Sequence, residues 1–338
     1  MKIAHILAAS VLIAGSSLSQ QPPATQPVPK EKAQAQVTFH VVTDDGKPVA
    51  NVDVTASTFL YWDRKEGFGK DVYQDIKGRT DKDGMTTITF ASERGDVHYG
   101  IHDVPGYYPT WNLEYQFKEI KDGKWQPWNP ILELEFKPIL KPIPMYARKK
   151  GAIKPFAIPA IGQPVGFDMM AGDWVAPHGK GSVSDMLFTL TEKVPYVSAE
   201  QPFDVTLTVT FTNKGDGIQS VLVPLNRGSE FRLPRYAPED GYEPQLVKEI
   251  AHATGEPIAS GTREDQNYFV RVRTVLDEKG KVQSALYAKI DGDIQFWGNR
   301  KTRFTYYLNP NPNDRNMEFD LKQNLAGDLP FNERVTKP

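Results

Sequence analysis

The densest group of chemically useful side chains lies between Tyr107 and Trp128. There Tyr107, Tyr108, Trp111, Tyr115, Trp125 and Trp128 occur in a segment rich in Gly, Pro and Lys. Flat aromatic faces stack on sugar rings or on apolar protein patches. Asn112, Lys124, Gln126 and Asn129 are close in sequence and suited to bonding hydroxyl groups. Trp111, Trp125 and Trp128 are therefore the candidate ligand-binding residues. The competing reading is a mini-core that lets a long insertion fold back on its own sheet, because Trp and Tyr are usually at least partly buried. Burial of the three indoles decides between them.

Other constellations carry less. His98 and His102 are four residues apart, which on a strand places them on one face but about 13 Å apart, too far to share an ion without a bend. A bulge at Gly100 would bring them closer. Asp81-Lys82-Asp83-Gly84 has the start of a calcium loop and lacks its later ligands and closing Glu, so it reads as a turn, as does Asp291-Gly292-Asp293. The segment 172–181 offers Asp173, Trp174, His178 and Lys180 among glycines, without a nucleophile elbow or phosphate-loop spacing. A sharp loop packed by Trp174 is its plainer reading. Residues 309–316 alternate Asn and Pro and read as an Asx-stiffened loop, a candidate interface, with Arg315 placed to pair with Asp314 or Glu318. No catalytic residue, metal site or cofactor is assigned.

Composition narrows the function classes. Lys and Arg number 40 against 42 Asp and Glu, a formal net charge of −2, so there is no basic excess to hold a nucleic-acid backbone. The chain has no Cys, which excludes thiolate metal sites, disulfides and cysteine nucleophiles. With 17 Phe, 14 Tyr and 6 Trp in 338 residues it has ample apolar surface for real cores, and its length suggests two domains. Glycan hydrolysis is the alternative to a binding role, because a pair of carboxylates at the right separation is all that it requires.

The elements that must position these residues are strands. Val37, Phe39 and Val41 alternate with Thr38 and His40, and Val205, Leu207, Val209 and Phe211 alternate with Asp204, Thr206, Thr208 and Thr210. Turn sequences such as Asp44-Asp45-Gly46-Lys47-Pro48 separate such runs. The long hairpin 268–290 fits the same pattern, and the segment 245–253 has some helical character. No βα alternation appears, so the fold class is all-β, two β-sandwich domains in tandem. The Pro-rich, basic segment 141–162 is placed as the interdomain linker, giving domains at 37–140 and 163–338.

Met1-Lys2, the apolar run Ile6-Leu7-Ala8-Ala9-Ser10-Val11-Leu12-Ile13-Ala14-Gly15 and the small residues Ser17 and Ser19 have the order of a secretory signal peptide, residues 1–19. Residues 20–36 are Pro- and Gln-rich and read as a disordered tether. The expected location is periplasmic or extracellular. The apolar run is shorter than a bilayer span, so no transmembrane segment is expected. A polysaccharide or another envelope protein is the expected partner.

The series Val41-Val42-Thr43-Asp44-Asp45-Gly46-Lys47-Pro48-Val49-Ala50-Asn51-Val52-Asp53-Val54, then Gly78-Arg79-Thr80-Asp81-Lys82-Asp83-Gly84, then Val104-Pro105-Gly106-Tyr107-Tyr108-Pro109 resembles the carboxypeptidase regulatory-like domain, a small transthyretin-like sandwich. The resemblance implies an accessory, usually non-catalytic module of carbohydrate-binding-like fold. Segments 59–77 and 110–129 are insertions relative to that pattern. The Tyr-Arg-Gly-Ser ending of transthyretin-like hydrolases is absent, so their activity is not implied. Residues 163–338 resemble no named family.

Overall fold

The computed structural model describes residues 32–338 except 66–67, 153–155 and 225–227. The leader and most of the 20–36 tether lie outside the described residues. The remainder forms two β-sandwiches in tandem.

In the first sandwich β1 (Ala33–Val42) pairs antiparallel with β4 (Met85–Ser92) and parallel with β9 (Ile131–Glu135). The short β7 (Glu119–Lys121) and β8 (Lys124–Gln126) extend this sheet. The facing sheet runs β3 (Phe68–Arg79), β2 (Asp53–Lys65), β5 (Asp96–Ile101), β6 (Thr110–Gln116). The period-two pattern does the sorting: Ala35, Val37, Phe39 and Val41 point inward and are fully buried against Val54, Val97 and Ile101. Asp81 caps its turn through the amides of Asp83 and Met85. Gly84 there has φ +72°, and a Cβ would lie 2.5 Å from the Val41 carbonyl oxygen. Ala33–Gln36, expected in the tether, belong to β1 because the described strand continues to Ala33, which pairs with Ser92.

The second sandwich sets an eight-stranded sheet against a six-stranded one. The larger sheet runs β16 (Gly217–Leu222), β19 (Gln266–Leu276), β20 (Val282–Ile290), β22 (Lys301–Asn309), β10 (Ile143–Lys150), β23 (Phe319–Asn324), with β11 (Phe156–Ala157) and β21 (Gln295–Phe296) also on β22. The smaller runs β13 (Asp173–Trp174), β12 (Val165–Asp168), β14 (Met186–Val194), β15 (Phe203–Thr210), β17 (Gln245–His252), β18 (Ala259–Ser260). Phe167, Phe188, Leu207, Phe304 and Tyr306 fill the space between them. The back of the larger sheet is covered too, by Leu233, Ala237 and Met317 over Phe269 and Tyr287, and by Val335 near Tyr307 and Phe319.

Two expectations give way here. The segment placed as the interdomain linker contains β10, deep in the larger sheet, so the second sandwich starts about twenty residues earlier than 163. Ile143, Met145 and Ala147 alternate inward, but prolines at 142 and 144 obscure the pattern. Pro144 is tolerated because it falls where the pairing with β23 shifts register and before pairing with β22 begins at Tyr146. The partly helical 245–253 is strand β17, paired residue for residue with β15. A lysine, Lys248, occupies one of its inward positions and breaks the apolar alternation.

Candidate functional site: the interdomain cleft

Four stretches of chain meet where the sandwiches join: the 43–47 turn, the 135–140 exit from β9, the end of β16 running to Pro224, and the 232–236 segment. They wall an open cleft of about 790 Å³. Its rim carries exposed Tyr236, Leu140 and Leu222. Its floor carries Lys137, Arg232 and Arg235, with Asp44 and Glu135 among them, and the exposed pair Asp45 and Lys47 stands at its edge.

The floor is built by buried charges that hold the domains together. Glu318 is completely buried and accepts from the amides of Leu140 and Lys141, both at 2.8 Å, and from the Tyr108 hydroxyl at 3.0 Å. Arg235 Nη1 lies 2.7 Å from the same carboxylate, and its Nη2 donates to Asp44 and to the Pro138 carbonyl. Burial by itself would raise the Glu318 pKa. The two amides and Arg235 outweigh it and hold the carboxyl below its usual range. Lys137 donates to the carbonyls of Arg232 and Leu233 and pairs with Glu135 at 2.8 Å. Asp45 is held down to about 2 by Lys47 and the Thr43 hydroxyl. Each carboxylate lining the cleft thus faces a cation.

Beneath the floor, Lys289 is fully buried, with Nζ 4.6 Å from the Phe231 ring centroid and 4.5 Å from that of Tyr307. Burial pushes its pKa down to about 7, against the opposing pull of Asp291.

The structure separates the three candidate tryptophans. Trp125, on β8, is buried over Gly95, where a Cβ would come within 2.8 Å of the indole, and donates to the Ser92 carbonyl at 2.9 Å. It is a core residue, which removes it from the candidate binding set. Trp128 is exposed, with Lys124 Nζ 4.8 Å from its ring centroid. Trp111, on β6 of the opposite sheet, is half-buried and bonds Glu230 of the second sandwich through Nε1 at 3.1 Å. Tyr107 stacks on Phe136 and Tyr108 packs on Phe231. The aromatic cluster is therefore shared between core, domain junction and surface.

His98 sits against Tyr73 and His102 near Trp111, so the two imidazoles have different aromatic neighbours even though the β5–β6 register does shift beside Gly100. Among the described residues no group of three or more His, Asp or Glu is arranged to hold a metal ion. The 172–181 loop is organised by Asp168 and Asp173, which accept loop amides, with Trp174 buried and His178 exposed. The 309–316 loop is held by Asn309, Asp314 and Asn316, and Asn316 Nδ2 reaches the Lys141 carbonyl at 2.7 Å. Arg315 pairs with Glu239, not with Asp314 or Glu318.

Sequence reasoning missed a second polar site. Lys248 Nζ lies 2.5 and 2.6 Å from the two Asp293 oxygens, and the Tyr268 hydroxyl donates to Asp293 at 2.6 Å. The group lies at a second cavity, of about 560 Å³, lined in part by Lys248, Gln266, Tyr268 and Ser220. The only sequence signal was a lysine at an inward position of an alternating strand.

No protein-family model matches the sequence, and no characterised protein aligns with it significantly. Among solved structures, a chlorocatechol 1,2-dioxygenase from Pseudomonas putida is 12% identical over 32% of this chain and 60% of its own, less than two thirds of that protein, with a TM-score of 0.22. A DUF3823 family protein from Bacteroides ovatus is 10% identical over 81% of this chain and 95% of its own, with a TM-score of 0.20. BcpA, the major pilin subunit of Bacillus cereus, is 12% identical over 82% of this chain and 96% of its own, with a TM-score of 0.21. At such scores none of these likenesses bears on what the present chain does.

Proposed function

We propose that this chain is an exported, non-catalytic binding or structural protein of the cell envelope, and that it engages its partner in the cleft between the two sandwiches. The first sandwich is, in this reading, an accessory module of the carboxypeptidase regulatory-like kind. The observation that carries the proposal is the state of the cleft carboxylates. A glycan hydrolase needs one carboxyl that keeps its proton near neutral pH and a second that is free to act as base or nucleophile. Asp44 is engaged by Arg235, Glu135 by Lys137 and Asp45 by Lys47, and Asp45 is pushed away from the range of a general acid. The charges fasten the walls, while exposed Tyr236, Leu140 and Leu222 supply the contact surface.

Polysaccharide remains one partner class for this cleft, with Tyr236 in place of the dispersed tryptophans. The test is an array of envelope polysaccharides and linear peptides probed with the protein and with Tyr236→Ala, alongside assays for glycan cleavage. Binding that Tyr236→Ala weakens without a change in melting temperature supports the reading. Turnover of any glycan rejects the non-catalytic assignment, and binding unaffected by Tyr236→Ala moves the site elsewhere.

A further inference from the structure

Strand β16 is an edge of the eight-stranded sheet, and its orientation can be worked out from its hydrogen bonds. Ile218 donates to and accepts from Glu243, both at 2.9 Å, on the side away from β19. Val223 donates to Asp265, which continues the chain into β19. Main-chain groups of 218, 220 and 222 therefore point outward, and those of 217, 219, 221 and 223 point toward β19. Among the described residues only Ile218 finds a partner on the outer side. The N–H and C=O groups of Ser220 and Leu222 meet no strand, and both residues are exposed.

This edge lacks the usual protection. Gly217-Ile218-Gln219-Ser220-Val221-Leu222 has no charge and no proline, the devices by which natural sheets block pairing with a foreign strand. It is also bordered by two cavities. Ser220 is paired with Tyr268, which faces the inter-sheet core, and both line the 560 Å³ cavity. Val221 packs on the Leu233 cluster on the opposite face and lines the 790 Å³ cleft. A strand sends successive side chains to opposite faces, so a chain added here would present its own side chains to both faces of the sheet. In the first cavity, Lys248 is already neutralised by Asp293, and Leu246, Val247, Glu249 and Ala251 line the walls. In the second, Pro138, Pro224, Pro234 and Tyr236 surround the ion pairs of Asp44, Asp45 and Glu135, and Arg232 lies 3.9 Å from Asp291 outside the lining.

We propose that the Ser220–Leu222 edge of β16 binds an extended segment of a partner polypeptide by strand addition. This rests on the reading of the cleft as the binding site and names the class of its partner. Main-chain bonds supply affinity in this mode, and the two cavities select side chains.

The test uses a phage-displayed library of random linear peptides, panned on the protein. Enriched peptides are then synthesised and N-methylated one residue at a time. Strand addition predicts enriched peptides that lose affinity by about tenfold or more at every second N-methyl position. Leu222→Pro removes an outward N–H that the sheet does not use, and predicts a similar loss with an unchanged circular dichroism spectrum. N-methylation alters only the ligand, so the test stands even if Leu222→Pro fails to fold. No enriched peptide, or N-methyl sensitivity without the alternation, overturns the proposal. Self-association of the protein through β16, abolished by Leu222→Pro in sedimentation, would overturn it in favour of a second copy. Polysaccharide binding that falls with Tyr236→Ala and ignores Leu222→Pro would keep the cleft as the site while rejecting strand addition.

Discussion

Arg235 Nη1 and Glu318 Oε2 lie 2.7 Å apart, with the Glu318 side chain fully shielded and that of Arg235 almost so. Both residues come from the second sandwich, and both turn toward the first. Glu318 takes up the amides of Leu140 and Lys141 and the Tyr108 hydroxyl, while Arg235 reaches Asp44 and Pro138. An isolated buried pair contributes little net stability, since desolvation offsets attraction. Here Arg235 Nε and Nη2 and the Glu318 lone pairs are used on the first sandwich and the segment leaving it, so the pair helps fix how the sandwiches meet.

Removing one partner should therefore be costly. Glu318→Ala leaves Arg235 buried without its carboxylate and is expected to destabilise by about 3–5 kcal/mol in denaturant unfolding. The pH dependence has a defined sign. Because the folded Glu318 pKa lies below its unfolded value of 4.5, its contribution is complete above about pH 4.5 and fades as pH falls through the folded value. Unfolding curves between pH 3 and 6 that are parallel for the parent and Glu318→Ala would contradict this.

Lys289 gives the opposite slope. Its pKa falls from 10.5 unfolded to about 7 folded, so between those values the unfolded chain holds the extra proton. Stability should rise with pH across that window, by up to about 1.4 kcal/mol per pH unit from this group. Lys289→Met should flatten the rise and raise the melting temperature at pH 7. A melting temperature equally pH-dependent in parent and variant between pH 7 and 9 would show that Lys289 does not titrate there.

The tryptophans should behave differently from one another. Trp125→Ala empties a buried site over Gly95 and is expected to cost about 3–5 kcal/mol. Trp128→Ala, at an exposed position, should change stability by no more than about 0.5 kcal/mol. Equal losses in thermal unfolding would refute this division of roles.

Limited proteolysis should spare β10. Its first half is paired with β23 and its second with β22, so residues 143–150 should resist cleavage under conditions that cut exposed loops. Mass spectrometry of early fragments showing cuts within that strand would rule out its place in the sheet.

The sequence by itself determined the class of fold and much of its local geometry. Alternation at 37–41 and 205–209 specified faces correctly because side chains on a strand repeat every two residues whatever the strand packs against. The turns at Asp44 and Asp81 were equally legible, since Asx side chains and positive-φ glycines act within a few residues. Where local pattern was interrupted, as by Pro144 in β10 and Lys248 in β17, the reading failed, because only the neighbouring strands and Asp293 make those residues acceptable. The sites were decided by tertiary structure alone. Composition favours aromatic stacking at Trp111, Trp125 and Trp128, yet each indole was claimed by whatever surface the folded chain brought to it: the second sandwich, the first core and solvent. The cleft joins residues from Thr43 to Tyr236, and the lock beneath it joins Asp44 to Glu318. Contacts over such separations depend on how two complete sandwiches dock, and no spacing along the chain encodes that.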